Sequence, residues 1–239
     1  LAKVSIFLST SIFLLLLLQS SVRAQNMQGS ALKKVVIDPG HGGRDPGAPG
    51  SKSKEKDIVL DVSLRLGKMI QAKYPDVEVI YTRKTDIYLD PYKRADIANN
   101  AHADLFISIH TNAVAKGSRC PSGAETFVMG TANSAANMEV AKRENSVIFL
   151  EDDYATRYEG FDPNKPELSI ILSLMQNSYL IQSVDFAAEI QAQLKKTAQR
   201  VDREVKQAVI WVLYKTAMPS VLVELGFICN AEEEKFMTS

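Results

Sequence analysis

Three short runs of β-branched and apolar residues, "KKVVID", "DLFISIH" and "SVLVELGF", recur along the chain, each bounded by turn-forming or charged residues. Runs of this length and composition read as buried strands. The segments between them carry helical periodicity. "EKDIVLDVSLRLGKMIQAKY" places Ile58, Val62, Leu66, Met69 and Ile70 on one face, with Asp57 able to cap its start and Pro75 closing it. "YKRADIANNAHA" predicts a second helix, and "VEVIYTR" and "GAETFVMG" predict further strands. Residues 133–150 read as a polar helix, "EDDYATRYEGFDPNKPE" as a loop, and residues 167–198 as one long helix. "AVIWVLY" and "SVLVELGF" close the chain as strands. Strands alternating with helices define an α/β layered fold: a twisted, mostly parallel central sheet with helices on both faces.

The 239 residues suffice for one domain with a full core. Lys+Arg and Asp+Glu both total 28, and no basic cluster stands out, so nothing favours nucleic acid. The opening "LAKVSIFLSTSIFLLLLLQSSVRAQ" has Lys3, an apolar stretch through Leu18 and a small-x-small site at Val22-Arg23-Ala24. It reads as a secretory signal peptide over residues 1–24, with an uncleaved anchor as the alternative. Residues 25–32 form a polar linker, and residues 33–239 the catalytic domain. Either reading of the opening sends that domain to an extracytoplasmic space. With no initiator Met and few residues after the last strand, the chain reads as truncated at both ends, with no helix beyond that strand. Cys120 and Cys229 are the two cysteines, and spacing alone leaves their pairing open.

The chemistry-bearing residues fall at strand ends. His41 follows the first strand on the turn "DPGHGGRDPGAPG", His110 ends "FISIH", and Glu224 ends "VLVE". Glu55 stands just before the helix that follows the glycine-rich turn. In α/β sheets the crevice beyond the carboxyl ends of the strands is where ligands bind. Two histidines and a carboxylate form a common catalytic zinc set that leaves a position for water, and a second carboxylate can shuttle the proton. His41, Glu55 and His110 therefore suit the ligand role and Glu224 the base. His102 reads as an ordinary surface residue, and Asn112 mainly as a turn former.

"IDPGHGGRDPGA", "KEKDIVLDV", "YTRKTDIYLDPYKRADIANNAHADLFISIHTNA", "GAETFVMG" and "MPSVLVELGFICN" together resemble the blocks of the zinc-dependent N-acetylmuramoyl-L-alanine amidases, in order, from Lys33 to about Asn230. The resemblance implies one Zn2+ on His41, Glu55 and His110, and Glu224 as catalytic glutamate. The implied reaction is hydrolysis of the amide between the lactyl group of N-acetylmuramic acid and L-alanine of peptidoglycan. Cell-wall remodelling and daughter-cell separation in a periplasm are the implied setting. A zinc carboxypeptidase acting on stem peptides, or an inactive wall-binding module, are the alternatives.

Residues 131–183 are longer than a strand-to-helix connection needs. They resemble a helical insert that blocks the zinc in some family members until an activator protein displaces it. Glu167 is the first candidate for a self-inhibitory plug, with Glu144, Glu151 and Asp162 as rivals. Ile170, Ile171, Leu174 and Met175 form an apolar face for the activator.

Overall fold

The strand runs assemble into one six-stranded sheet in this computed structural model, which describes residues 32–114, 117–132, 134–158 and 179–239. The strands are β1 (Lys34–Pro39), β2 (Glu78–Tyr81), β3 (Leu105–Asn112), β4 (Ala124–Met129), β5 (Asp202–Ala208) and β6 (Ser220–Phe227). Their order is β2-β1-β3-β6-β4-β5. Every neighbouring pair is parallel except β4 and β6, so the sheet is mixed, with one antiparallel junction, the second from its β5 edge. β3 is buried along its whole length, and β1 and β6 nearly so. Burial on both faces is what makes these strands near-continuous apolar runs.

Alternate residues serve opposite faces. Val36, Phe106, Phe127 and Leu222 join a cluster with Ala98, Val140 and Trp211. Val35, Ile37, Ile107 and Val221 join the other, with Val62, Leu66, Phe186 and Ile190 against it. The second face is thus covered by α1 (Glu55–Lys73) and by the long helix near the chain's end, α5 (Leu180–Lys196). The first is covered by α2 (Pro91–Asn100), α3 (Ala135–Asn145) and the single turn α6 (Trp211–Tyr214). A 3-10 turn, Ser146–Leu150, continues α3, and a one-turn α4 (Tyr154–Arg157) follows.

Several elements differ from the sequence reading. α1 begins at Glu55, two residues before Asp57; Lys54 precedes it without a side-chain cap. "AVIWVLY" is not a strand: Ala208 ends β5 and Trp211–Tyr214 turns as helix. The run is buried all round, and periodicity does not separate strand from helix in such a run. β5 itself, "DREVKQA", is a polar edge strand, and the charges that protect an edge also hide it from a search for apolar alternation. The expected end without a helix is also corrected. α7 (Ala231–Met237) follows β6, capped by Asn230, whose side chain accepts from the amides of Glu232 and Glu233, with acids in its first turn. The signal-peptide reading, and the linker up to residue 31, lie outside the described residues, as do residues 159–178. Among the described residues no helix is long and apolar enough to cross a membrane.

Cys120 and Cys229 form a disulfide, with Cα atoms 5.9 Å apart across a sequence separation of 109. Closing a loop of about that length restricts the unfolded chain strongly, and native bridges of this kind are worth roughly 2–5 kcal/mol. Replacing both cysteines by alanine should therefore lower the unfolding free energy by about 2–4 kcal/mol in urea titration. An unchanged midpoint would show that the bridge adds nothing to the fold.

Candidate metal centre

The turn after β1 is built by buried guanidinium groups. His41 has φ +57°, a left-handed backbone that a residue with a Cβ rarely takes. Three successive carbonyls at the end of β1 and on the turn accept from these groups. Arg94 donates to His41 O at 2.6 Å, to Pro39 O at 2.7 Å and to Asp38 Oδ1 at 2.8 Å. Arg83 donates to Gly40 O at 2.7 Å and to Pro39 O at 3.0 Å. Asp38 also accepts from Thr82 and Ser108, at 2.6 and 2.7 Å. Although burial opposes its charge, Arg94 and these hydroxyls hold its pKa low. Gly40 permits the approach of the second histidine, since a Cβ there would lie 2.4 Å from His110 Nε2.

Glu55, the first residue of α1, is fully buried. Its two oxygens accept from the amides of Thr111 and Ala48, both at 2.8 Å. The loop before it is fastened from α7: Glu234 accepts from the amides of Ser51, Lys52 and Ser53 and from both serine hydroxyls. Burial opposes that carboxylate, yet these donors bring its pKa down to about 2.

His41, Glu55, His110 and Glu144 place ligand atoms within 4.8 Å of one another. His41 Nε2 lies 3.1 Å from Glu55 Oε1, and His110 Nδ1 lies 2.8 Å from Glu144 Oε2. These separations are short, yet His41 Nε2, His110 Nδ1 and Glu144 Oε2 are all buried without a hydrogen bond. Four residues thus crowd their ligand atoms into one small space. Buried polar atoms left unpaired are costly and rare. A divalent cation at their common focus satisfies all of them, and two imidazoles with carboxylates suit one chemically. His41 Nδ1 is 2.7 Å from Asp45 Oδ2, which as acceptor holds the Nδ1 proton and, in the neutral ring that a metal takes, leaves Nε2 as the ligand atom.

Glu224 lies on β6 opposite both His110 on β3 and Glu125 on β4, fully buried. Arg143 Nη2 donates to its Oε1 at 3.0 Å, while its Oε2 has no partner. Burial, helped by Glu144 and Glu55, pushes its pKa up to about 8 against the pull of Arg143. Burial also opposes charge on Glu144, but His110 and Arg143 bring its pKa down to about 2. For His41 burial opposes the proton, and Glu55 and Asp45 overcome it and raise the pKa to about 9. For His110 burial is likewise overcome, by Glu144 and Glu55, and its pKa stands well above the imidazole range.

The structure thus brings His41, Glu55, His110 and Glu224 together. Of the plug candidates, Glu144 stands in the site; Glu167 and Asp162 lie outside the described residues. Glu151 is engaged elsewhere, accepting from the Tyr158 hydroxyl at 2.6 Å. Arg83, Arg94, Asp45 and Arg143 were not read as part of the site from sequence. His102 is exposed, as read.

A protein-family model described as N-acetylmuramoyl-L-alanine amidase matches residues 35–239. The chain belongs to that family. It is 34% identical over 209 residues to N-acetylmuramoyl-L-alanine amidase AmiC of Escherichia coli O6:H1, covering 84% of this chain and 47% of that protein. It is 34% identical over 208 residues to AmiA of Escherichia coli K12, covering 85% of this chain and 68% of that protein. The chain thus spans about half the length of the first relative and two thirds of the second. Among solved structures, an N-acetylmuramoyl-L-alanine amidase from Clostridium difficile 630 aligns with a TM-score of 0.63 at 26% identity, covering 88% of both chains. The CwlD amidase of Clostridioides difficile, solved in complex with the GerS lipoprotein, aligns with a TM-score of 0.56 at 27% identity, covering 87% of this chain and 88% of that one.

The histidine pKa values set a test. With both pKa values raised above the ordinary imidazole value, the rings are imidazolium at pH 7 in the metal-free protein, whereas a metal takes only neutral imidazole. Metal uptake at pH 7 should expel about two protons per ion, read by calorimetry in buffers of different ionisation enthalpy. Release should fall as pH rises past about 9 for His41. Without metal, the His41 proton stabilises the fold fully below about pH 6.5, and that contribution is lost as pH climbs through about 9. Uptake at pH 7 with no proton release would contradict the assigned ligand pair.

Proposed function

We propose that this chain hydrolyses the amide between the lactyl group of N-acetylmuramic acid and L-alanine of the peptidoglycan stem peptide, with zinc held by His41, Glu55 and His110. The observation that carries this reading is the convergence of unpaired His41 Nε2 and His110 Nδ1 on the Glu55 carboxylate, with an unpaired Glu224 oxygen in the same buried pocket. Family membership directs the chemistry to this bond. A bound zinc ion polarises a carbonyl and lowers the pKa of water to about 7. Glu224 accepts the proton of the attacking water and passes it to the departing alanine nitrogen. Its burial beside the histidines and Glu55 places it for both transfers. The products are a lactyl carboxylate on the glycan and a free alanine amine. Residues 1–24, as a secretory signal, deliver the enzyme to the periplasm, for wall remodelling and daughter-cell separation.

The described state is self-inhibited in this reading. Glu144 on α3 aims an oxygen at the shared focus, where water and the substrate carbonyl need room. Holding such a site about 99% closed takes only roughly 2.7 kcal/mol. An activator protein opens it by binding the insert in its displaced position. Phe149, Leu150 and Tyr154, exposed just after α3, offer such a partner apolar contact.

Release of dye from labelled peptidoglycan, with and without chelator, tests the activity, and analysis of the products separates it from the alternatives. Lactyl carboxylates on glycan strands mark an amidase; released terminal amino acids mark a carboxypeptidase; wall binding without cleavage marks an inactive module. His110→Ala should lose both metal and activity. Glu224→Gln should keep its metal and lose rate by about 10²–10⁴-fold; loss of metal instead would make Glu224 a ligand. Glu144→Ala should raise the basal rate on intact sacculi and shrink the gain from an activator. A folded Glu144→Ala protein with unchanged rate would end the self-inhibition reading.

A further inference from the structure

We infer that Arg143 sits in the subsite of the stem peptide, and that Asn112 Oδ1 and the Ala113 carbonyl are the acceptors that hold the peptide's backbone in register on Glu224. The inference rests on the amidase reading and adds substrate-binding groups to it.

The guanidinium of Arg143 uses all three of its nitrogens. Nη2 donates to Glu224 at 3.0 Å, Nη1 to Asn112 Oδ1 at 3.1 Å and to Ala113 O at 2.9 Å, and Nε to Glu144 at 2.8 Å. A guanidinium only donates. Whatever replaces it over these acceptors must also bring N–H groups, or leave buried acceptors unpaired at a cost. A stem peptide brings them in sequence: the nitrogen that departs at Glu224, then the N–H of the second residue at Asn112 Oδ1, with the Ala113 carbonyl left for the N–H that follows.

Asn112 is set for this. Its Nδ2 donates to Glu125 Oε2 at 3.0 Å, and a carboxylate bound by Arg203 and Lys206, at 2.6 and 2.8 Å, accepts only. The amide therefore cannot flip, and Oδ1 faces the groove. One of its lone pairs takes the Ala113 amide at 2.8 Å; Arg143 takes the other. The β3–β6 register shifts between His110 and Asn112, which turns the strand out of its regular ladder at this point. Beside it opens a groove of about 510 Å³ lined by Asn112, Ala113, Val114, Arg143, Arg203 and Phe227. That is within the size of sites that enclose small ligands and peptide segments.

The test uses the full chain carrying Arg143→Ala and Glu144→Ala, so that neither side chain occupies the site, loaded with zinc, and two substrates. One is an N-acetylmuramoyl pentapeptide; the other is its depsipeptide, in which an ester oxygen replaces the N–H of the second stem residue. The ester should show a KM about tenfold higher with kcat little changed, the size of effect expected from one hydrogen bond. Adding Asn112→Ala should raise KM for the amide substrate by a similar factor, abolish the amide–ester difference and leave zinc content intact. Calorimetric binding of both ligands to the Glu224→Gln, Arg143→Ala, Glu144→Ala protein should repeat the difference without turnover. Equal KM and equal affinity for amide and ester while Asn112 is present would overturn the inference, as would an ester penalty that survives Asn112→Ala. If the lactyl amide is not cleaved at all, the amidase reading fails, and the binding comparison still reports on the acceptors.

Discussion

The grip of two buried arginines on the carbonyls of Pro39, Gly40 and His41 is the constraint on which the site depends. A left-handed histidine does not hold its place through its own preferences. Arg83 and Arg94 supply donors where the strand ladder has ended, and Asp38 balances Arg94 beneath them. The other side of the centre is fixed the same way: Glu55 spends both carboxylate oxygens on backbone amides from two different segments. The centre is thus held by its neighbours' backbones without any ion, a preorganisation that suits the proposed metal-assisted hydrolysis.

Charge explains why α3 settles where it does. Without an ion, His41 and His110, with raised pKa values, stand beside the carboxylates of Glu55 and Glu144, and the guanidinium of Arg143 lies between Glu144 and Glu224 in the same pocket. Two adjacent residues of one helix therefore divide the work. Glu144 meets the histidines and Arg143 meets Glu224. The pair supplies an acceptor where lone pairs face an ion and donors where they face a nitrogen.

The sheet was legible because burial on both faces writes itself into β1, β3 and β6 as uninterrupted apolar runs. β5 was not, because an exposed edge selects for charge. α6 was misread because a fully buried run carries no periodicity. His41, Glu55, His110 and Glu224 could be picked out because each ends or opens an element at one sheet edge. Arg83 and Arg94 could not: in "YTRKTD" and "YKRADIAN" they look like surface charges, and only the tertiary fold shows that their carbonyl partners lie on a turn some forty to fifty-five residues away. Glu144 was one acid among several, since sequence does not say which face of α3 meets the histidines.

The disulfide has a mechanical consequence for the groove beside Asn112. Cys120 and Cys229 tie the segment after β3 to the segment after β6, and Pro121 beside the first cysteine and Phe227 at the end of β6 line the groove. The facing side is made by Ala136, Glu139 and Val140 of α3, which no covalent link holds to the sheet. The groove accordingly has one riveted wall and one hung wall. On the proposed reading, a chain threading along it would press α3 outward, and that movement would withdraw Arg143 and Glu144 together.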